Sequence, residues 1–245
     1  MNVLEVQGLS KHYPSFELKD VSFNVPKGAI MGFIGRNGAG KTTTLKSILG
    51  LVHADGGEVR FLGKDVREDE RFFKENTGVV LGGTDFYPKK KLRTITKVTS
   101  AFYPAWDFEK YRHYCKVFEL DENKRVDELS GGMRVKYLIA LALSHNARLL
   151  ILDEPTSGLD PVSRDELVEL FKAIVKNGER SILFSTHITS DLEKCASHIT
   201  FIKDGVIVHT GTVEGFINTF REQRGTLEEI IVAVEKRGFD EGAVI

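Results

Sequence analysis

Apolar and polar residues alternate through the first part of the chain, as in Phe16 and Leu18 and then Val21, Phe23 and Val25. A period of two buries one face of a pleated strand and leaves the other wet, so antiparallel strands are predicted over the first 30 residues. Pro26-Lys27-Gly28 supplies a turn, after which the pattern changes. Ala29 to Ile34 is apolar throughout, as a strand buried on both faces must be. Glycines follow at once, and a helical stretch begins near Lys41. Glu58 to Leu62, bracketed by glycines, predicts another short strand.

From about 84 to 145 the apolar spacing becomes helical. Tyr87, Phe102, Tyr103, Trp106, Phe108, Tyr111, Tyr114 and Phe118 crowd into this stretch, and Asp107 supplies an N-cap. These aromatics are expected to form the core of a small helical lobe. Asp107, Glu109 and Glu119 lie among them and argue against a base-stacking surface. From Leu149 strands and helices alternate again. Leu149 to Leu152 reads as a buried strand, and Asp160-Pro161 as an N-cap with proline in the first turn. Leu167, Leu170, Phe171, Ile174 and Val175 make one helix face that Gly178 closes. Ser181 to Ser185 is a strand, and Phe201 to Val208 a hairpin turned at Asp204-Gly205. Buried strands alternating with helices predict an α/β fold with a parallel sheet. The tail after Gly211 reads as mostly helical and charged, with no evident chemistry.

The 245 residues carry 34 Lys+Arg against 35 Asp+Glu, a formal net charge of -1. That balance excludes a protein that coats nucleic acid by bulk charge, and no nucleic-acid partner is expected. A chain this long buries enough surface to fold without disulfides. Its two cysteines, Cys115 and Cys195, have neither metal-ligand spacing nor the numbers for a disulfide framework, so a reducing compartment is expected. The longest apolar stretch, Tyr137 to Leu143, is far short of the ~20 residues that span a bilayer. The N-terminal residues lack the basic start and apolar core of a signal peptide. The expectation is a soluble cytoplasmic chain with no direct membrane insertion.

Gly35-Arg36-Asn37-Gly38-Ala39-Gly40-Lys41-Thr42 fits GxxxxGK[ST] without a mismatch, between a buried strand and a helix. The glycines let successive backbone N–H groups turn inward around phosphate oxygens, and the helix adds its positive end. Lys41 is positioned for the β- and γ-phosphates, and the Thr42 hydroxyl for Mg²⁺. The strand Leu149 to Leu152 ends in Asp153-Glu154. Ligands of parallel sheets sit beyond the carboxyl ends of the strands, which places both carboxylates beside the loop. Asp153 is suited to hold Mg²⁺, and Glu154 to polarise an attacking water.

Leu129-Ser130-Gly131-Gly132-Met133 precedes a helical face of Val135, Leu138, Ile139 and Ala142. With Ser130 as N-cap it makes a second anion-binding helix terminus, for which a monomer holding one nucleotide has no obvious use.

Taken together, these motifs resemble the nucleotide-binding subunit of ATP-binding cassette (ABC) transporters, most closely the single-domain ATPases of bacterial ABC-2-type exporters. The resemblance covers roughly residues 1–215. Leu129 to Met133 is similar to the family signature, with Met in place of the last Gln. Ser157-Gly158-Leu159-Asp160 resembles the D-loop, and His187 the switch histidine. Tyr13 sits where the family places an aromatic that stacks on adenine. The ATP-binding set implied is Tyr13, Gly35, Asn37, Gly38, Ala39, Gly40, Lys41, Thr42 and Thr43. Thr42 and Asp153 are implied for Mg²⁺, and Glu154 and His187 for catalysis.

The resemblance implies a P-loop NTPase core with an N-terminal antiparallel β-subdomain, a helical subdomain at about 84–145, and a C-terminal extension over 216–245. It further implies a homodimer or heterodimer with a second ABC ATPase, in which Ser130, Gly131 and Gly132 of one subunit close over ATP held by the other. Without a spanning segment of its own, the chain would drive a separate integral-membrane permease from the inner face of the cell membrane. A soluble ABC protein acting in translation or in protein or cluster assembly is the alternative. One position departs from the family pattern: where it places a Mg²⁺-reaching glutamine, this sequence has Gly82 followed by Gly83, so that either a water or a nearby residue such as Asp85 substitutes, or the loop moves more freely than is usual in the family. Downstream, Lys89-Lys90-Lys91 and Arg93 form a basic run, read either as a solvated surface or as a contact for the membrane partner or lipid headgroups.

Overall fold

The computed structural model describes residues 1–81, 87–220 and 226–236. The chain runs through β1 (Asn2–Tyr13), β2 (Phe16–Pro26), β3 (Ile30–Ile34), α1 (Lys41–Ile48), β4 (Gly56–Phe61), β5 (Lys64–Asp65), α2 (Glu70–Glu75) and β6 (Thr77–Val80). It continues through α3 (Leu92–Ser100), α4 (Phe108–Val117), α5 (Gly131–Ser144), β7 (Leu149–Asp153) and α6 (Pro161–Val175). It then passes through β8 (Ser181–Thr186), α7 (Thr189–Cys195), β9 (His198–Lys203), β10 (Val206–Thr212), α8 (Val213–Thr219) and α9 (Leu227–Lys236).

Two sheets form. The antiparallel one has the order β2-β1-β4-β5, with Leu4 opposite Val25 and Val6 opposite Phe23. The predicted alternation is seen directly, since Val21, Phe23 and Val25 are buried and the residues between them are exposed. The second sheet has the order β10-β9-β3-β8-β7-β6, parallel from β9 to β6 with β10 antiparallel at one edge.

All five residues of β3 and of β7 are buried, because the parallel sheet is covered on both faces. Alternate residues of one strand enter different cores. Met31, Phe33, Leu149 and Ile151 pack with α1 and the antiparallel sheet. Ile30, Ile34, Leu150 and Leu152 pack with α5, α6, α7 and α9. Each fully buried Leu, Ile or Phe contributes about 1.5–3 kcal/mol relative to exposure, so strand register is strongly specified on both faces. Gly78 of β6 lets α5 approach closely, since a Cβ there would lie 2.3 Å from the Cβ of Ala142.

The helical aromatics do not all enter the core. Tyr111 and Phe118 are buried, whereas Tyr87, Phe102 and Phe108 are 65%, 73% and 50% exposed. A helix hides one stripe, and that of α4 runs through Tyr111 and Cys115 to Phe118 at its C-cap. Phe108 belongs to the same stripe but stands in the first turn, where Trp106 meets only its edge, with 5.9 Å between ring centres. Inside, the Thr96 hydroxyl donates to Tyr111 (2.8 Å) and Tyr137 donates to the Leu92 carbonyl (3.1 Å), tying α3, α4 and α5 together. The tail also has more structure than its charge suggests. Leu227, Ile230, Ile231 and Val234 of α9 are buried in the core that contains Leu192 and Phe216.

Candidate active site

β3 leads straight into the loop 35–40 and α1. A Cβ on Gly35 would lie 2.3 Å from the carbonyl of Ile202 in the neighbouring strand β9, so glycine is required by close approach. Gly38 and Gly40 have φ of +85° and +111°, the region glycine visits freely. The Gly205 N–H donates to the Ala39 carbonyl (3.1 Å), anchoring the loop to the hairpin turn between β9 and β10. The Lys41 ammonium is only 5% exposed; it donates to the carbonyls of Gly35 (2.7 Å) and Arg36 (3.2 Å) and lies 3.1 Å from Glu154 Oε1. A buried cation needs such partners, and these hold it at the mouth of the loop.

The strand order then brings in the second element. β8 lies between β3 and β7, and in that register Asp153 at the end of β7 is opposite Ser185. The Ser185 hydroxyl donates to Asp153 Oδ1 (2.6 Å) and accepts from the Glu154 N–H (2.9 Å). One hydroxyl therefore fixes both neighbouring acidic residues. From the other side the Thr42 hydroxyl donates to Asp153 Oδ2 at 2.9 Å, with Oδ1 at 3.2 Å. Glu154 adopts a left-handed φ of +50°. That costs a non-glycine residue on the order of 1 kcal/mol and turns its carboxylate toward the loop. Its Oε2 lies 2.8 Å from Nδ1 of His187, the residue after β8.

Asn37, Gly38, Gly40, Lys41, Thr42, Thr43 and Glu154 all line one cavity of about 520 Å³. Phe16 and Ser15 complete its lining, whereas Tyr13, at the end of β1 with the Lys11 ammonium 5.6 Å from its ring centre, is not part of it. Phe16 and Ser185 were missed by sequence reasoning. A clue to Phe16 lay in its place beside the turn between two strands, but nothing local marked Ser185.

Ser130 and Asp160 are N-caps, outside the lining of that cavity. The Ser130 hydroxyl accepts from the Met133 N–H (3.2 Å) at the start of α5. Asp160 accepts from the N–H groups of Val162 and Ser163, both at 3.0 Å, at the start of α6. The side chain and backbone of Ser163 hold the Asp160 carboxyl below the usual range. The two helix starts adjoin, since a Cβ on Gly131 would lie 3.0 Å from Leu159 Cδ2 and one on Gly132 3.4 Å from Ser163 Cβ. Gly82 and Asp85 lie outside the described residues.

Thr42 and Asp153 offer hard oxygen donors, and among the described residues no cluster of three or more His, Cys, Asp or Glu could hold a metal by itself. Few protein oxygens beside a phosphate loop suit Mg²⁺, which keeps most of its positions for water and substrate phosphates.

The model of the ABC transporter family matches residues 18–157. The chain belongs to that family. The ABC transporter ATP-binding protein YtrB of Bacillus subtilis (strain 168) is 31% identical over 208 residues, covering 84% of this chain and 71% of that protein. The bacitracin transport ATP-binding protein BcrA of Bacillus licheniformis is 32% identical over 209 residues, covering 84% and 68%. A solved structure of the ATP binding subunit of an ABC transporter matches with a TM-score of 0.84 at 27% identity, over 96% of this chain and 100% of that one. The expected α/β P-loop NTPase fold is thus borne out, and so is the expected enzyme class: the chain is an ATP hydrolase, the ATP-binding motor subunit of an ABC transporter. The reading as a translation or assembly factor gives way to it. Among the described residues no helix is long and apolar enough to cross a membrane.

Proposed function

We propose that this subunit pairs head to tail with a second cassette, identical or not, around two ATP molecules and drives export through a separate integral-membrane permease. It would work on the inner face of the cell membrane. The observation that carries the chemistry is the convergence of Lys41, Glu154 and His187 at one cavity mouth, next to the Thr42–Asp153 pair.

Backbone N–H groups of Gly38 to Lys41 hold the phosphates, and Lys41 exchanges its carbonyl partners for β- and γ-phosphate oxygens. Thr42 and Asp153 would hold Mg²⁺, which when bound would neutralise charge on the phosphate oxygens. Glu154 accepts a proton from water as the water oxygen bonds to the γ-phosphorus. The bond from that phosphorus to the β–γ bridging oxygen breaks, leaving ADP and inorganic phosphate. His187 orients the Glu154 carboxylate and donates to the γ-phosphate. Ser130, Gly131 and Gly132 reach the γ-phosphate from the partner, while Asp160 lies at the contact between subunits. Because the γ-phosphate is gripped from both sides only in the closed pair, ATP shifts the population toward closure, and its loss reopens it.

Relatives named for Nod factor export support that direction. Tagged protein purified from detergent-solubilised membranes is expected to bring down a multispanning membrane protein. Recovery with ribosomes or soluble partners alone would overturn the proposal.

A further inference from the structure

A second cavity, of about 590 Å³, opens between α4 and the C-terminal end of α6. It lies where β8 begins, at the end of the strands opposite the nucleotide cavity, and the two share no lining residue. Tyr114 and Phe118 from α4, Leu143 from α5, and Leu170 and Ile174 from α6 give it an apolar floor. Its charged lining has one sign only. Lys176 and Arg180 face it, and among the described residues no carboxylate does.

Arg180 points to the ligand. Its Nε is buried without a hydrogen-bond partner, and it makes no ion pair among the described residues. Arg180 as a whole is part-exposed, and its buried Nε–H is satisfied best by an oxyanion that also accepts from a neighbouring N–H of the same guanidinium. The adjacent acid, Glu179, is engaged with the Asn177 side chain (3.2 Å) and lines a neighbouring recess that Arg180 also borders, but it makes no ion pair with Arg180 and does not line the groove. An apolar floor with such an anchor at its rim, in a cavity of small-ligand size, selects a molecule that is greasy along its body and negative at one end.

We propose that this groove binds an anionic amphiphile, a carboxylate on an apolar chain, with the carboxylate on Arg180 and the chain along Phe118 and Ile174. The groove bears on the ends of α5 and α6, which are joined by the Lys136–Glu166 ion pair (2.6 Å) and whose other ends carry Ser130 and Asp160.

Calorimetric titration of the full-length, nucleotide-free chain tests this without reference to ATP turnover. The probe is decanoate below its micelle concentration, with decanol and decyltrimethylammonium as uncharged and cationic counterparts. One decanoate is expected per chain, bound at least tenfold more tightly than either counterpart. Arg180→Gln is expected to weaken decanoate at least tenfold and leave decanol unchanged. Ala173→Trp, at an exposed rim position, fills the groove and is expected to abolish binding of all three probes. Equal affinity for the three probes, or decanoate affinity untouched by Ala173→Trp, would overturn the proposal.

Discussion

Glu154 Oε2 lies 2.8 Å from Nδ1 of His187, while its other oxygen faces Lys41 Nζ at 3.1 Å. The carboxylate is held between the first residue of α1 and the residue that follows β8, and its strained backbone is held by Ser185. Replacing His187 with Ala frees one side of this clamp. Turnover is expected to fall by about 10²-fold, since misplacing a catalytic group by an ångström costs that much. ATP affinity is expected to change little, so steady-state kinetics on purified transporter should show the loss in kcat rather than KM.

Ser185→Ala removes the hydroxyl that bonds both Asp153 and Glu154. Asp153 is only 5% exposed, and its Oδ1 keeps only the longer 3.2 Å contact with Thr42, so a loss of about 1 kcal/mol of stability is expected. The Mg²⁺ concentration for half-maximal turnover should rise, because the Asp153 carboxylate loses its fixed orientation. Urea unfolding and a Mg²⁺ titration check the two parts separately.

Two glycines of the loop are expected to respond differently to alanine. Gly35→Ala drives a Cβ to within 2.3 Å of the Ile202 carbonyl, so strands must separate. A loss of about 1–3 kcal/mol or more is expected, with loss of ATP binding. Gly38 has φ +85° but nothing within 4 Å of an added Cβ. Its alanine variant bears only the cost of the left-handed backbone, about 1–2 kcal/mol. Chemical unfolding of the pair separates close approach from backbone strain.

His145 caps α5, with its ring stacked on Tyr103 at 3.8 Å and Nδ1 3.1 Å from the Glu75 carbonyl. Burial drops its imidazole from 6.5 to about 4, although the Glu75 carbonyl pulls the other way. The folded protein therefore binds fewer protons than the unfolded chain between these values. The stability this provides is present above about pH 6.5 and is lost as pH falls toward 4, by at most about 1.4 kcal/mol per unit. His145→Phe keeps the stack and should flatten thermal stability against pH in that window.

The phosphate loop, the acidic strand end and the three N-caps at Asp107, Ser130 and Asp160 were legible because each is a local pattern with a local cause. Ser185 was not. Its role arises from pairing β7 with β8 in one register, and no spacing within either strand reports it. Nor does composition show the left-handed turn at Glu154. The helical aromatics were misjudged in part for a similar reason. Spacing shows which residues share a face, but not that Phe102 and Phe108 stay largely exposed among the described residues. In the tail, charge drew attention away from the period of Leu227, Ile230, Ile231 and Val234, which is a plain amphipathic helix.

Lys89, Lys90 and Lys91 are all exposed. If they face the membrane partner, changing all three to Glu reverses the local charge without touching the loop. Co-purification of the membrane partner should weaken, while ATP affinity stays unchanged in an equilibrium binding assay.

Pairing of cassettes around ATP is the central claim, and blocking hydrolysis isolates it. Glu154→Gln keeps the shape of the side chain but removes the proton acceptor, so turnover should drop by about 10²-fold or more while ATP still binds. Light scattering with and without ATP then measures the mass in solution. A doubling is expected that requires ATP and disappears in Glu154→Gln/Ser130→Arg. A mass that stays that of one chain at saturating ATP, with cleavage blocked and with any second cassette of the same transporter also present, would rule out pairing around ATP.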